Sequence, residues 1–330
     1  MNRSEQLSNW LQQVRGSAPH SLVLAAADAS VRQYWRATWA DCSVIVMDFD
    51  PVVFDCAPFL ARQQQLAGAA MPVPAVYEQD LGLGFVVLED LGDVTLASLL
   101  SEETAKEWYL RAIKLLVELQ ANTSDDELPR FDAEFIQREL NICLEWYFGQ
   151  QFGVTLAGKE LATWERACAL ITQEILKQPT LFMHRDFHSR NLLVQNDTLR
   201  LIDFQDAVKG PIAYDLVSLL RDAYVEWGET FVLDLVIRYW EQARAAGLPV
   251  HEDFGDFYLA FEMAGLQRHL KILGLFARLK FRDNKPQYQA DIPRVFQYVR
   301  QVCLRYSELT PLGRLLVNLN GEKVETGYSF

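Results

Sequence analysis

The period of the hydrophobic pattern changes once along this chain, near residue 90, and that change limits what it can fold into. Before it, the stretch SLVLAAADASVRQYWRATWADCSVIVMDF alternates apolar and polar residues in three short runs. These read as antiparallel strands at about 21–26, 31–39 and 43–49. Asp55 is placed to cap a helix that takes Pro58 in its first turn and ends near Gly68 and Pro72. Two further strands are expected near 73–78 and 85–89, joined by Asp80, Gly82 and Gly84. A short amphipathic helix around Leu7 to Val14 precedes them all. From Ser101 onward the spacing of Ala105, Trp108, Ala112, Leu115 and Leu119 is helical, and helices dominate the remainder. One interruption stands out: NLLV, the polar turn Gln195-Asn196-Asp197, then LRLIDF, the pattern of a β-hairpin.

This pattern predicts an α+β protein of two lobes that fold as one unit. The first lobe, residues 1–91, is a small antiparallel sheet with one helix, and a hinge follows at about 88–92. The second, residues 92–330, is larger and mainly helical, and carries the hairpin. Half of the 330 residues are hydrophobic, enough for a sizeable core. No run reaches the roughly 20 apolar residues that span a bilayer, and the first residues, MNRSEQLSNW, lack the apolar stretch of a signal peptide, so a cytoplasmic protein with no membrane partner is expected. The net charge of -13 gives no basic footprint for nucleic acid. Five scattered cysteines without a C-x-x-C spacing read as packing residues, neither a disulfide framework nor a zinc site. The oligomeric state stays open, a monomer included.

Chemistry concentrates around the hairpin, in FMHRDFHSRNLLVQNDTLRLIDFQDA. Phosphoryl transfer to a hydroxyl needs a carboxylate that orients and deprotonates the nucleophile, and oxygen ligands that hold Mg²⁺ against the ATP phosphates. Asp186 suits the first role. Asn191 and Asp203 suit the second, because the hairpin folds the chain back on itself between them.

Here the sequence resembles the aminoglycoside phosphotransferase and protein-kinase-like superfamily, whose catalytic loop has the form H-x-D-x-x-x-x-N followed by a metal-binding aspartate. His184, Asp186, Asn191 and Asp203 match it, and His188 matches the H-x-D-x-H-x-x-N variant of small-molecule kinases. The resemblance implies ATP and Mg²⁺ as cofactors, Asp186 as catalytic base, and Asn191 and Asp203 as metal ligands. His184 and His188 are assigned structural support. It also places adenine at the connector FVVLEDLG, against backbone groups of Glu89 and Leu91, and phosphate at the first strand turn, where Ala29 and Ser30 let backbone N–H groups approach.

One departure concerns the lysine that the superfamily carries on its third strand, paired with a helix glutamate. Met47 or Asp48 stands there, and the helix offers Arg62, Gln63, Gln64 and Gln65. Arg32, Arg36 or Arg62 could replace it, with Arg32 preferred.

The segments DASVRQYWR, VMDFDP, LEDLG, MHRDFHSRNLL and IDFQDAVKGPIAYDLVSLLRDAY look like those of the bacterial anomeric kinases that phosphorylate N-acetylmuramate and N-acetylglucosamine in cell-wall recycling. That implies an amino-sugar acceptor. Asp215, Arg221, Glu145, Trp146 and Arg268 are the candidate sugar contacts, each with an alternative: Asp215 as an anchor of the catalytic loop, Trp146 as core, the charged residues as a solvated helix face. Rival acceptors are an aminoglycoside, choline or homoserine. The rival of another class is a non-catalytic nucleotide-binding pseudokinase.

Overall fold

The computed structural model describes residues 2–26 and 32–321. In chain order its elements begin with α1 (Arg3–Arg15), β1 (Ser21–Ala26), β2 (Arg32–Thr38), β3 (Ser43–Phe49), α2 (Ala57–Gly68), β4 (Val76–Asp80), β5 (Phe85–Glu89) and α3 (Leu96–Leu99). Then come α4 (Ala105–Asn122), α5 (Ala133–Ile142), a π-helical stretch (Cys143–Gln151), α6 (Gly158–Leu176), β6 (Thr180–Met183), β7 (Leu192–Gln195), β8 (Thr198–Leu201) and β9 (Val208–Pro211). The chain closes with α7 (Tyr214–Leu220), α8 (Glu229–Ala245), α9 (Phe254–Phe281), α10 (Ile292–Arg305) and α11 (Thr310–Leu319). Two compact units form, Met1–Leu99 with Arg190–Gln205, and Leu100–Ser189 with Asp206–Phe330.

The first unit is built on a five-stranded antiparallel sheet in the order β1-β2-β3-β5-β4. Strand alternation gives this sheet two faces. Ala37, Val44, Val46, Phe85 and Val87 pack against Leu7, Trp10 and Leu11 of α1, a cluster with nearly every side chain out of water. An Asn2–Glu5 capping box starts α1 and left-handed Gly16 ends it. Asp48 shares this face, and Arg3 of α1 binds it with Nε and Nη2 at 2.8 and 2.5 Å. The same Nη2 donates to the carbonyl of Leu83 at 2.8 Å. Met47, buried, therefore belongs to the opposite face, with Ile45.

Cys56, not Asp55, is the N-cap of α2; Asp55 stands one residue earlier and accepts the backbone N–H of Ala57 at 2.9 Å. β4 starts at Val76 rather than near residue 73, because Pro72 and Pro74 have no N–H for a ladder. The hairpin β7–β8 turns on Asn196 and Asp197, both at positive φ (49° and 60°), as a two-residue loop between right-twisted strands requires. It docks on this unit through Leu201 N–H to Pro72 O (2.9 Å) and Val194 N–H to Val94 O (2.8 Å).

The second unit is helical apart from the β6–β9 pair. Its centre is α9, buried on almost every side from Phe257 to Ala277. A helix hidden all round must satisfy its polar groups internally, and α9 carries Glu262, Gln267, Arg268, His269 and Lys271 into the interior. Gly274 lets α9 meet the end of α5: a Cβ there would fall 2.4 Å from the backbone of Ile142. No helix among the described residues is long and apolar enough to cross a membrane. Cys56, Cys143, Cys168 and Cys303 are buried as packing residues, whereas Cys42 is exposed at the end of the β2–β3 turn and is not a core residue.

Gly274→Ala tests that close approach. Helix propensity alone favours alanine by about 1 kcal/mol. Overpacking against Ile142 costs about 1–3 kcal/mol, so a lower urea midpoint is expected. A stabilised variant would show that the two backbones do not touch.

Candidate active site

A cavity of about 340 Å³ opens within the first unit. Its walls include Ile45, Leu88, Phe59 and Phe204, and the last two stack at 5.3 Å. Connector residues Glu89 and Leu91 line it, as do Asn191 and Asp203. The hairpin brings these last two together: Asn191 Nδ2 donates to Asp203 Oδ2 at 3.3 Å, and Ile202 N–H to Asn191 O at 3.2 Å. Asp203 has φ of 64°, a conformation that its short polar side chain tolerates. Gln205 holds its other oxygen at 2.7 Å. No cluster of three or more His, Cys, Asp or Glu suited to a metal occurs among the described residues. An amide and a carboxylate suit Mg²⁺, which binds through one or two protein carboxylates, substrate phosphates and water. The residues present therefore fit that ion.

At the connector, the N–H of Glu89 donates to Ala75 O (2.9 Å) and is not available to an adenine. Its side chain is held by Arg200. Ala29 and Ser30 lie outside the described residues.

In the second unit, the loop 184–189 leaves β6 and is gripped at both ends. Buried Asp215, in the first turn of α7, accepts the N–H groups of His184 (2.6 Å) and Arg185 (2.9 Å). Buried Asp222, just past α7, accepts Ser189 N–H at 3.0 Å and the Ser189 hydroxyl. Between these anchors His184 Nδ1 accepts Asp186 N–H at 3.3 Å, and His188 packs edge-on against Tyr224.

The Asp186 side chain keeps about a third of its surface exposed (36%). Burial works to raise its pKa, but Lys271, Arg268, His188 and Arg185 outweigh burial and hold it well below the usual carboxylate range. Arg268 Nη1 reaches Asp186 Oδ1 at 3.3 Å and the Arg185 carbonyl at 2.6 Å. Arg185 and Lys271 share Glu139 Oε1 at 2.7 and 3.3 Å, and Gln267 donates to the other oxygen at 2.9 Å. Glu139 is in turn kept anionic: burial raises its pKa, and Lys271 and Arg185 more than reverse that.

Two expected sugar contacts have other work. Asp215 is fully buried with both oxygens on backbone N–H groups, which is the anchoring geometry; burial pushes its carboxyl up to about 7 against the pull of those donors. Arg221, 1% exposed, is a core ion-pair residue bound to Glu262 and Glu229 at 3.2 Å each. Glu145 is exposed and Trp146 half-buried on the π-helical stretch. Of the five, Arg268 is the one placed on Asp186. Sequence reasoning missed Glu139 and Asp222. A lone acid on a helix carries no signal, although Asp222 stands seven residues after Asp215, two helical turns on.

Comparison with known proteins fits this geometry. Residues 21–248 match the phosphotransferase enzyme family. An N-acetylmuramate/N-acetylglucosamine kinase of Neisseria meningitidis serogroup B is 49% identical over 336 residues, covering 100% of both chains. A protein of the same description from Pseudomonas putida is 39% identical, covering 96% of both. The fold is that of the ADP-bound aminoglycoside phosphotransferase APH(2'')-Ib, at a TM-score of 0.60 and 16% identity, over 89% of this chain and 97% of that one. The chain belongs to the phosphotransferase enzyme family and has the protein-kinase-like fold. By class it is a small-molecule kinase.

The electrostatics predict a pH dependence. With its pKa lowered, Asp186 stays ionised throughout the range above about pH 4, so it contributes no acid limb to turnover between pH 5 and 8. Lys271→Met removes the first of these cations, so the pKa rises and the acid limb moves up from below pH 5. The ratio of turnover at pH 5 to that at pH 8 should fall in the variant. Superimposable profiles would show that Lys271 does not act on Asp186.

Proposed function

We propose that the protein transfers the γ-phosphoryl group of Mg-ATP to the anomeric hydroxyl of N-acetylmuramate or N-acetylglucosamine in the cytoplasm, giving the sugar 1-phosphate. What carries the reading is the joint presence of a full-length likeness to the meningococcal kinase and an Asp186 carboxylate kept ionised and partly open to solvent.

In this reading the acceptor hydroxyl donates to Asp186. Its proton passes to that carboxylate as the oxygen attacks the γ-phosphorus, and ADP leaves with the electrons of the broken P–O bond. A carboxylate of such low proton affinity is a weak base, so its main contribution is to orient the nucleophile in a loose transition state. An anomeric hydroxyl is more acidic than an ordinary alcohol, which narrows the mismatch. Asn191 and Asp203 would hold Mg²⁺, whose chemistry when bound is to offset the charge of the phosphate oxygens. Asp215 and Asp222 keep the loop from moving while this happens.

The cations Arg185, Arg268 and Lys271 disfavour an aminoglycoside, a polycation that would meet like charge beside Asp186. They suit a neutral or acidic sugar. The product feeds a nucleotidyl transfer of the class that makes nucleotide sugars, in keeping with recycling of cell-wall amino sugars.

An acceptor screen tests this. N-acetylglucosamine or N-acetylmuramate should support ADP formation and yield a product whose anomeric proton couples to phosphorus in NMR. The 1-O-methyl glycosides should be inert. Methyl glycosides that turn over with phosphate on O6 would overturn the anomeric assignment, and choline or an aminoglycoside as the better acceptor would overturn the sugar assignment.

A further inference from the structure

We infer that Arg32 is the side chain of the first unit that clamps the nucleotide phosphates, so that the cation for this task stands on β2 rather than β3. The inference rests on the ATP reading above.

A nucleoside triphosphate carries several negative charges into its site, and charge-assisted hydrogen bonds from fixed cations are the usual means of holding them. On β2, Arg32, Tyr34 and Arg36 share one face by strand alternation, and Tyr34 and Arg36 line the cavity. Arg36 is already matched to two carboxylates. It donates to Asp90 at 2.7 and 3.0 Å and to Asp93 at 2.6 and 2.8 Å. It also stands opposite Ile45, which in turn pairs with Leu88, one residue from Glu89 and the connector. That is the adenine end of the cavity in the ATP reading.

Arg32 stands opposite Phe49, four residues further along the same strand, or about 13 Å. That separation carries it away from the connector end, past cavity-lining Tyr34. Its guanidinium carbon lies 5.9 Å from the ring of cavity-lining Tyr34 and 5.2 Å from the ring of Phe54, in the loop that enters α2. Nothing on neighbouring β3 competes with it. Met47, diagonal to Arg32 on that face, is uncharged, and Asp48 points the other way, into Arg3.

Two other cations are candidates. Arg62 lies one turn after cavity-lining Phe59 but hydrogen-bonds to Gln65 of its own helix, and Arg190 lines the cavity beside Asn191. Neither shares a strand face with Tyr34 and Arg36.

Calorimetric binding of ATP and of adenosine to the full chain, without acceptor, separates these cases. Arg32→Met should weaken ATP by about tenfold or more, as loss of one charged hydrogen-bonding partner does. Adenosine, which has no phosphates, should bind within about twofold of wild type. Adding Met47→Lys to Arg32→Met should restore most of the ATP affinity, a rescue that a merely structural arginine would not show. Arg62→Met and Arg190→Met should each cost less than Arg32→Met. Unchanged ATP affinity in Arg32→Met, equal losses of ATP and adenosine, or a larger loss in either control would overturn the inference. Because no acceptor is present, a wrong sugar assignment leaves the result untouched. Wild-type protein that binds no adenine nucleotide would overturn this inference and the ATP reading together.

Discussion

Asp186, about a third exposed and faced by Lys271, Arg268 and Arg185, is the group around which the buried charges of the second unit are arranged. Burying a carboxylate is costly unless it is paired, and here Lys271, Arg268, His188 and Arg185 supply the pairing. The lysine and the arginines need their own partners. Glu139 of α5 takes Arg185 and Lys271 on one oxygen, and Gln267 completes the other. Helix α9 serves this arrangement by delivering Gln267, Arg268 and Lys271 to the same place within two turns. Removing one charged member shifts the balance on the others, so their effects are not additive.

In the first unit the organising constraint is the two-sided sheet. One face is sealed by α1, whose Arg3 satisfies the buried carboxylate of Asp48. That leaves the other face of β2, β3 and β5 to wall the cavity. The hairpin β7–β8 docks on the same unit and carries Asn191 and Asp203 to it. The meeting of Asn191 with Asp203 thus follows from local hairpin geometry, with Asn196 and Asp197 of the turn at positive φ.

Such local features are what the sequence displays most clearly. The bounds of β1, β3 and β5 and the turn of the hairpin follow from short-range patterns of apolar alternation and turn residues. The start of β4 was displaced only by two prolines whose effect on the ladder is equally local. The meeting of Asn191 with Asp203 is legible because a short hairpin joins them. Long-range partnerships are not. Glu139 and Arg185 are 46 residues apart, and Ser189 and Asp222 are 33 apart. Nothing in the local sequence marks Arg221 as a buried ion-pair partner of Glu262 rather than a surface charge. The choice between Met47 and Asp48 likewise needed the sheet, because alternation says that they face opposite ways but not which face α1 covers.

The central claim is that Asp186 acts on the acceptor and not on the nucleotide. The direct measurement is kcat and ATP affinity of Asp186→Asn, with the sugar saturating. An amide keeps the shape and loses the proton-accepting charge, so kcat should fall by about 10²-fold or more while ATP affinity stays within about twofold. A variant that keeps wild-type kcat, or that loses ATP affinity while turnover at saturation survives, would contradict the account.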